Sequence, residues 1–260
     1  TGVVKDGTAF TTIGTSGVVF AHSSQVTIDP KGRVHTCCAA VPGTWHVMGV
    51  TQAAGLSLKW FKDNFCQDYV EEAARQDVDV YDLINRDIAN IPAGSDKLIY
   101  LPYLMGERTP HLDPDCRGVF FGLSAIHTKA HMLRAVMEGV SYSLSDCNDI
   151  LKEMGIDVDS MMACGGGGKS PVWRQMLADL YDCSVNTVRQ TEGPALGVAI
   201  LAGVGCGIYE SVEEACDELI SEAQSTGADS SVVGKYKAYH ELYKELYGNL
   251  KNSYKKLAAL

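Results

Sequence analysis

Four consecutive glycines, Gly165 to Gly168, stand between an apolar run and a serine–proline pair in MMACGGGGKSPVW. Few folds accept that succession. Met161 to Cys164 reads as a strand and Gly165 to Gly168 as a turn. Ser170 reads as a helix N-cap and Pro171 as the first residue of a helix reaching Tyr181. A strand that turns directly into a helix is the unit of an α/β sheet. The phosphate loop of nucleotide hydrolases does not fit. Counting back from Gly168 puts Ala163 where its first glycine should stand, and Pro171 drives Ser170 out of the helical region that the loop's hydroxyl residue occupies. Glycines still let a backbone approach a flat or anionic ligand, and a helix start attracts anions. A plain turn and a nucleotide site are the two readings. Four glycines exceed what a turn needs, which favours the second.

The first fifty residues read as strands. TAFTTIG and GVVFAHS flank a turn from Gly14 to Gly17, and RVHTCCAAV and TWHVMGV flank Pro42 and Gly43, a hairpin signal. Helices are expected over Gln52–Cys66, Tyr69–Arg75 and Tyr81–Asn90, then a strand in KLIYLPYL. The clearest helix runs from Thr128 to Met154. Leu133, Val136, Met137, Val140, Leu144, Cys147, Leu151 and Met154 share one face, with Thr128 as start cap and Gly155 as stop. The strand CSVNTV follows the glycine segment, then helices from Pro194 to about Gly205, from Glu213 to Glu222 and from Lys235 to Leu257. The tyrosines of the last helix read as packing. No linker or repeat interrupts this order, which fits one α/β domain over residues 1–260 with a mixed β-sheet flanked by helices.

Composition narrows the partners. A net charge of −10 argues against nucleic acid and anionic membrane, but not against phosphate held by backbone amides. No apolar run reaches ~18 residues, so no membrane span is expected. The chain has nine cysteines, an odd number with no C-x-x-C pair, which suggests reduced thiols in a cytoplasmic protein.

Two further stretches share the physics of the glycine run. TIGTSGVV offers backbone amides and the hydroxyls of Thr15 and Ser16 in a turn, a set suited to a terminal phosphate as well as to a plain hairpin. TEGPALGVAILAG opens a helix of small residues that permits close packing or a close ligand. The segment GVFFGLSAIHTKAHMLRAVMEG, with Gly118, Phe120, Gly122, Leu123, His131, Met132, Ala135, Val136, Met137 and Glu138, resembles the second signature of the FGGY carbohydrate kinases. LPYLMGERTPHLDPDCRGVFFGL looks most like the xylulose kinases among them. GGGGKSPVWRQMLADL and EGPALGVAILAG agree, and the likeness spans nearly the whole chain.

That resemblance implies a ribonuclease-H-like (actin-like ATPase) domain. It also implies transfer of the γ-phosphoryl group of ATP, with Mg²⁺, to a sugar hydroxyl. Only the second lobe of the family is resembled, the one that holds most of the nucleotide site. Gly14, Thr15, Ser16 and Gly17 would meet the β- and γ-phosphates, with Gly55 nearby. Gly165, Gly166, Gly167 and Gly168 would lie under the α-phosphate and ribose, Ser170 near the adenosine, and the adenine against the helix from Pro194. The family's sugar-binding residues and catalytic aspartate belong upstream of the point matching Thr1, so no catalytic residue is assigned here and the chain alone is expected to be inactive. Asp6 lies in a turn and is not read as the base. Other sugars, polyols or sugar acids of the family, a non-catalytic actin-like nucleotide-binding module and a domain with vestigial turns are the alternatives. A homodimer is left open.

Individual residues add little chemistry. Glu107 and Arg108 could be catalytic, being charged residues in a conspicuous loop, but read better as an ion-paired loop fixing the lobe's shape, and Glu138 as a structural carboxylate pairing with a loop cation or cap. His111, His127 and His131 lack a zinc spacing. Lys169 is equally a phosphate ligand or a solvated lysine. No metal ligand is assigned.

Overall fold

The computed structural model describes residues 1–190 and 192–260. The chain opens with a hairpin of β1 (Gly7–Ile13) and β2 (Gly17–Ser23), closed by pairing Ile13 with Gly17. A second hairpin follows, β3 (His35–Cys38) and β4 (Trp45–Thr51), with β4 antiparallel to β2. Three helices come next: α1 (Gly55–Phe65), α2 (Gln67–Gln76) and α3 (Val80–Ile88). A small antiparallel pair, β5 (Ile99–Leu101) and β6 (Val119–Phe121), brackets the irregular loop between them. Then come α4 (Lys129–Glu153), β7 (Val158–Cys164), a helical turn α5 (Gly165–Gly168), α6 (Pro171–Tyr181) and β8 (Ser184–Val188). The chain finishes with α7 (Pro194–Gly205), α8 (Val212–Leu219), β9 (Glu222–Thr226) and α9 (Ser230–Ala258).

The main sheet has the order β3-β4-β2-β1-β7-β8-β9 and is mixed. Strands β7 and β8 run parallel to β1, and both β1 and β4 run antiparallel to β2. The carboxyl ends of β1, β4, β7 and β8 therefore leave from the same edge. In open α/β sheets that edge is where ligands bind.

Side chains explain which face is covered. In β1 the alternation turns Ala9, Thr11 and Ile13 into the core and leaves Phe10 and Thr12 half-buried on the other face. Phe10 and Phe20 stack across the hairpin with ring centroids 4.6 Å apart, and His46 extends the stack at 4.5 Å. The core face packs against α4, which departs from the single apolar face read from its sequence. From Leu133 to Asn148 every α4 residue is buried, including Arg134, Glu138 and Asp146. The helix touches the sheet through β2 and β4, the small sheet through β5, and the helices α1, α3, α6 and α9. A helix enclosed on all sides must satisfy its polar groups internally. Ser141 does so by accepting the Trp173 indole N–H at 3.0 Å.

A further difference concerns a strand. The segment ending at Glu222 splits into α8 and β9, because Glu222–Thr226 adds to the edge of β8 through its backbone while its side chains stay largely exposed. The tyrosines of α9 do pack. Tyr236, Tyr243, Tyr247 and Tyr254 are buried, whereas Leu242 and Leu257 of the same helix face out. The cysteines are free thiols. Among the described residues, no helix is long and apolar enough to cross a membrane.

Candidate nucleotide site

The turn between β1 and β2 is held by its carbonyls. The Gly14 N–H donates to the Ser16 carbonyl at 3.0 Å and closes the bend. The Gly14 carbonyl accepts from the Gly55 N–H at 2.8 Å. The Thr15 carbonyl accepts from the N–H groups of Ala54 at 3.1 Å and Leu56 at 3.2 Å. The start of α1 thus consumes the acceptors of the turn. Among the described residues, the N–H groups and hydroxyls of Thr15 and Ser16 have no hydrogen-bond partner. Gly14 and Thr15 are exposed, Ser16 is half-buried, and Gly17 is packed against Thr51, Leu144 and Ala54. What remains at the surface is a cluster of donors, the chemistry that a phosphate oxygen requires.

The glycine run sits beside that turn. Its strand, β7, pairs with β1 up to Thr12 and Cys164, so Gly165 emerges next to Ile13, where the turn begins. Gly165 has φ +75°, and a Cβ there would lie 2.7 Å from the Ile13 carbonyl oxygen. A Cβ on Gly167 would meet the Ile13 side chain at 2.5 Å, and Gly168 is buried against Ala163. Gly166 differs from these. A Cβ on it would meet nothing within 4 Å, and its surface is exposed. The fold therefore explains the other three glycines and leaves Gly166 open to the space above the sheet edge.

Gly55 completes the cluster, since a Cβ there would lie 2.4 Å from the Gly14 oxygen. Gly14 to Gly17, Gly55 and Gly165 to Gly168 thus lie together at one end of the sheet, with Gly14, Thr15, Gly165 and Gly166 exposed and Gly17 and Gly168 buried. Ser170 is placed differently. Its hydroxyl accepts from the Trp173 N–H at 3.1 Å and donates to Asn85 at 2.7 Å, so it caps α6 and braces α3. Lys169 is exposed beside the run. The helix α7 starts beyond the carboxyl end of β8 and packs on α8 through Leu196, Ile200 and Val204. Gly197 is exposed.

Several side chains do something other than expected. Glu107 and Arg108 are not an ion pair. The Arg108 guanidinium meets His35 at 3.0 Å, while the Glu107 carboxylate turns inward to Thr51, Gln52 and Ser143. The loop is fixed by a buried acceptor, not by opposite charges. Glu138 pairs with Arg134 at 2.8 Å, one turn earlier on its own helix, and accepts from Gly94 and Ser95. The spacing of Arg134 and Glu138 was the available signal, because residues four apart share a helix face. His111 stacks on Tyr247 at 3.4 Å, and burial lowers its pKa to about 4. His131 accepts from the Thr128 N–H at the start of α4, and His127 from the Ser124 N–H.

The turns Gly14–Gly17 and Gly165–Gly168 carry N–H groups and the hydroxyls of Thr15 and Ser16 but no carboxylate. That set fits phosphate oxygens and gives no hard-cation site of its own. A Mg²⁺ ion would have to arrive on the nucleotide.

The C-terminal domain of the FGGY family of carbohydrate kinases matches residues 9–206. The xylulose kinase of Bacillus subtilis is 38% identical over 236 residues, 91% of this chain and 45% of that protein. The gluconokinase of the same species is 35% identical over 256 residues, 98% of this chain and 50% of that protein. A ligand-bound xylulose kinase from Lactobacillus acidophilus shares the structure with a TM-score of 0.87 at 26% identity, over 98% of this chain and 50% of its own. A Plasmodium falciparum glycerol kinase with ADP shares the fold at a TM-score of 0.78 and 19% identity, over 94% of this chain and 47% of its own. The chain spans about half the length of the curated relatives it matches. Its mixed sheet flanked by helices is the actin-like, ribonuclease-H-like ATPase fold of these kinases. On these grounds the chain belongs to the FGGY family of carbohydrate kinases, whose C-terminal domain it matches.

Proposed function

We propose that residues 1–260 form the nucleotide-binding lobe of an ATP-dependent sugar kinase that converts D-xylulose to D-xylulose 5-phosphate. The meeting of the turns Gly14–Gly17 and Gly165–Gly168 with Gly55 at one end of the sheet, with the donors of Thr15 and Ser16 unspent, carries this reading. In it, the turn from Gly14 to Gly17 holds the β- and γ-phosphates and Gly55 anchors that turn from behind. The segment from Gly165 to Gly168 lets the α-phosphate and ribose come close, and Ser170 supports that segment. Mg²⁺ would neutralise phosphate charge during transfer. The sugar site and the base that removes the hydroxyl proton belong to the further length that the relatives have. An exposed apolar side of α7, with Val198 68% and Leu201 43% exposed, suits an interface with that portion. Xylulose is preferred because the segment Leu101 to Leu123 is most like the xylulose kinases. The likeness to a gluconokinase over 98% of the chain makes a sugar acid the second reading, and a substrate panel on a two-lobed form separates them.

Gly166 supplies the test. Since the fold does not require it, Gly166→Ala should leave thermal stability unchanged or raise it, by up to about 1 kcal/mol. The same methyl should weaken MgADP binding, measured by calorimetry, by about tenfold or more. Unchanged affinity would mean that no nucleotide lies over this glycine. The chain alone should show no ATP turnover with D-xylulose in a coupled assay. Clear turnover would overturn the placing of the base and sugar site outside it.

A further inference from the structure

We propose that Glu107 is a positioning residue for the phosphate turn, acting through Thr51 and Gln52 on the segment Ala53 to Leu56 that grips Gly14 and Thr15. The inference rests on the nucleotide reading above and adds to it a residue from outside the glycine segments.

The geometry is a short chain of contacts. One Glu107 oxygen accepts from the Gln52 N–H at 2.9 Å and the Arg108 N–H at 2.7 Å. The other accepts from the Thr51 hydroxyl at 2.5 Å, with Ser143 Oγ at 3.2 Å. Ser143 belongs to α4 and also reaches Thr51 Oγ1 at 2.9 Å. The carboxylate therefore ties the end of β4 to the central helix. Thr51 pairs with Gly17 across the sheet, and its methyl group fills the space where a Gly17 side chain would go. Two residues after Gln52, the N–H groups of Ala54, Gly55 and Leu56 begin to hold the turn's carbonyls.

Stability does not account for this group. Glu107 is 3% exposed and has no cationic partner among the described residues. Burying a carboxylate without a counter-charge is costly, and an apolar or amide side chain would serve the core better. The titratable groups facing it are Tyr103, Cys116, Cys147 and Tyr243, none of them cationic. Burial raises its pKa to about 7, against the pull of the four donors. Two of these donors are backbone N–H groups that cannot accept, and the Thr51 hydroxyl gives its proton to the carboxylate. Protonation would place an O–H against one of those donors and loosen the strut, so the turn should respond to pH near neutrality.

The experiment compares the wild-type chain with Glu107→Gln from about pH 5.5 to 8.5, across the range where this group titrates. Amide NMR of the ligand-free proteins and MgADP calorimetry are read together. The amides of Gly14 to Gly17 should titrate in the wild type with the midpoint of Glu107, and not in the variant. At high pH the variant should bind MgADP about tenfold more weakly, the worth of one hydrogen bond to a charged group. The ratio of the two affinities should close as pH falls. The nucleotide's own titration is common to both proteins and cancels in that ratio. Wild-type binding with silent turn amides, or with a ratio constant over pH, would overturn the positioning role and leave the nucleotide reading standing. Titrating turn amides with no MgADP binding by either protein would support the strut and remove the nucleotide reading. The ligand-free wild-type titration decides the strut even if the glutamine variant does not fold.

Discussion

Replacing Glu138 with alanine should cost about 3–5 kcal/mol of folding stability, because it strands a buried guanidinium. Glu138 is 1% exposed in the middle of α4. Its carboxylate accepts from Arg134 Nε at 2.8 Å, the Tyr236 hydroxyl at 2.9 Å, the Gly94 N–H at 2.9 Å and the Ser95 hydroxyl at 2.8 Å. Arg134 also donates to the Ile88 carbonyl and to Tyr236, so it cannot swing to solvent without breaking α3 and α9 contacts. Alanine removes the carboxylate hydrogen-bonded to that charge and leaves only Asp179, which makes no ion pair with it, on the acidic side. Denaturant midpoints measure the loss. The double change Arg134→Met with Glu138→Leu should recover most of it, since apolar side chains of similar volume remove both desolvation costs together. A double variant as unstable as Glu138→Ala would show that the carboxylate's bonds to Gly94 and Ser95, not the orphaned charge, set the cost.

Gly55→Ala is expected to have the largest effect on the proposed nucleotide site. Its Cβ would lie 2.4 Å from the Gly14 oxygen, which is a backbone atom and cannot rotate away. Ordinary contact requires the turn to retreat by about 1 Å. That breaks the hydrogen bond between the Gly55 N–H and the Gly14 carbonyl and shifts Thr15, whose own carbonyl is tied to Ala54 and Leu56. The stability loss should be about 1–3 kcal/mol, as for other overpacked sites. A displacement of that size in a positioning element can cost about 100-fold in function. MgADP affinity should fall accordingly while the melt stays cooperative. Full affinity in Gly55→Ala would mean that the turn's placement does not matter to the ligand.

The glycine run shows what sequence reading could and could not reach. Its strand, cap and helix are where the pattern put them, with Ser170 capping Trp173 and Pro171 opening α6. The run itself is a helical turn, and the sequence does not separate Gly166 from its neighbours. That distinction comes from Ile13, which lies far away in the chain and presses on Gly165 and Gly167. Glu107 stands out in the sequence as a charged residue in a conspicuous loop, and charge alone suggests catalysis or an ion-paired loop. Its burial depends on β4 and α4 closing over it, which no local pattern records.

The sequence by itself determined the succession of strands and helices, the resemblance to the FGGY kinases and the three glycine bends. These are local: periodicity fixes which residues face inward, and glycine and proline fix where the chain turns. Only the tertiary structure decided that the bends at Gly14 and Gly165 meet, that α4 is enclosed on every side and that β9 forms at all. Those outcomes follow from strand order and direction. They bring together residues distant along the chain, and their packing then decides which side chain is spent on the fold and which is left for a ligand.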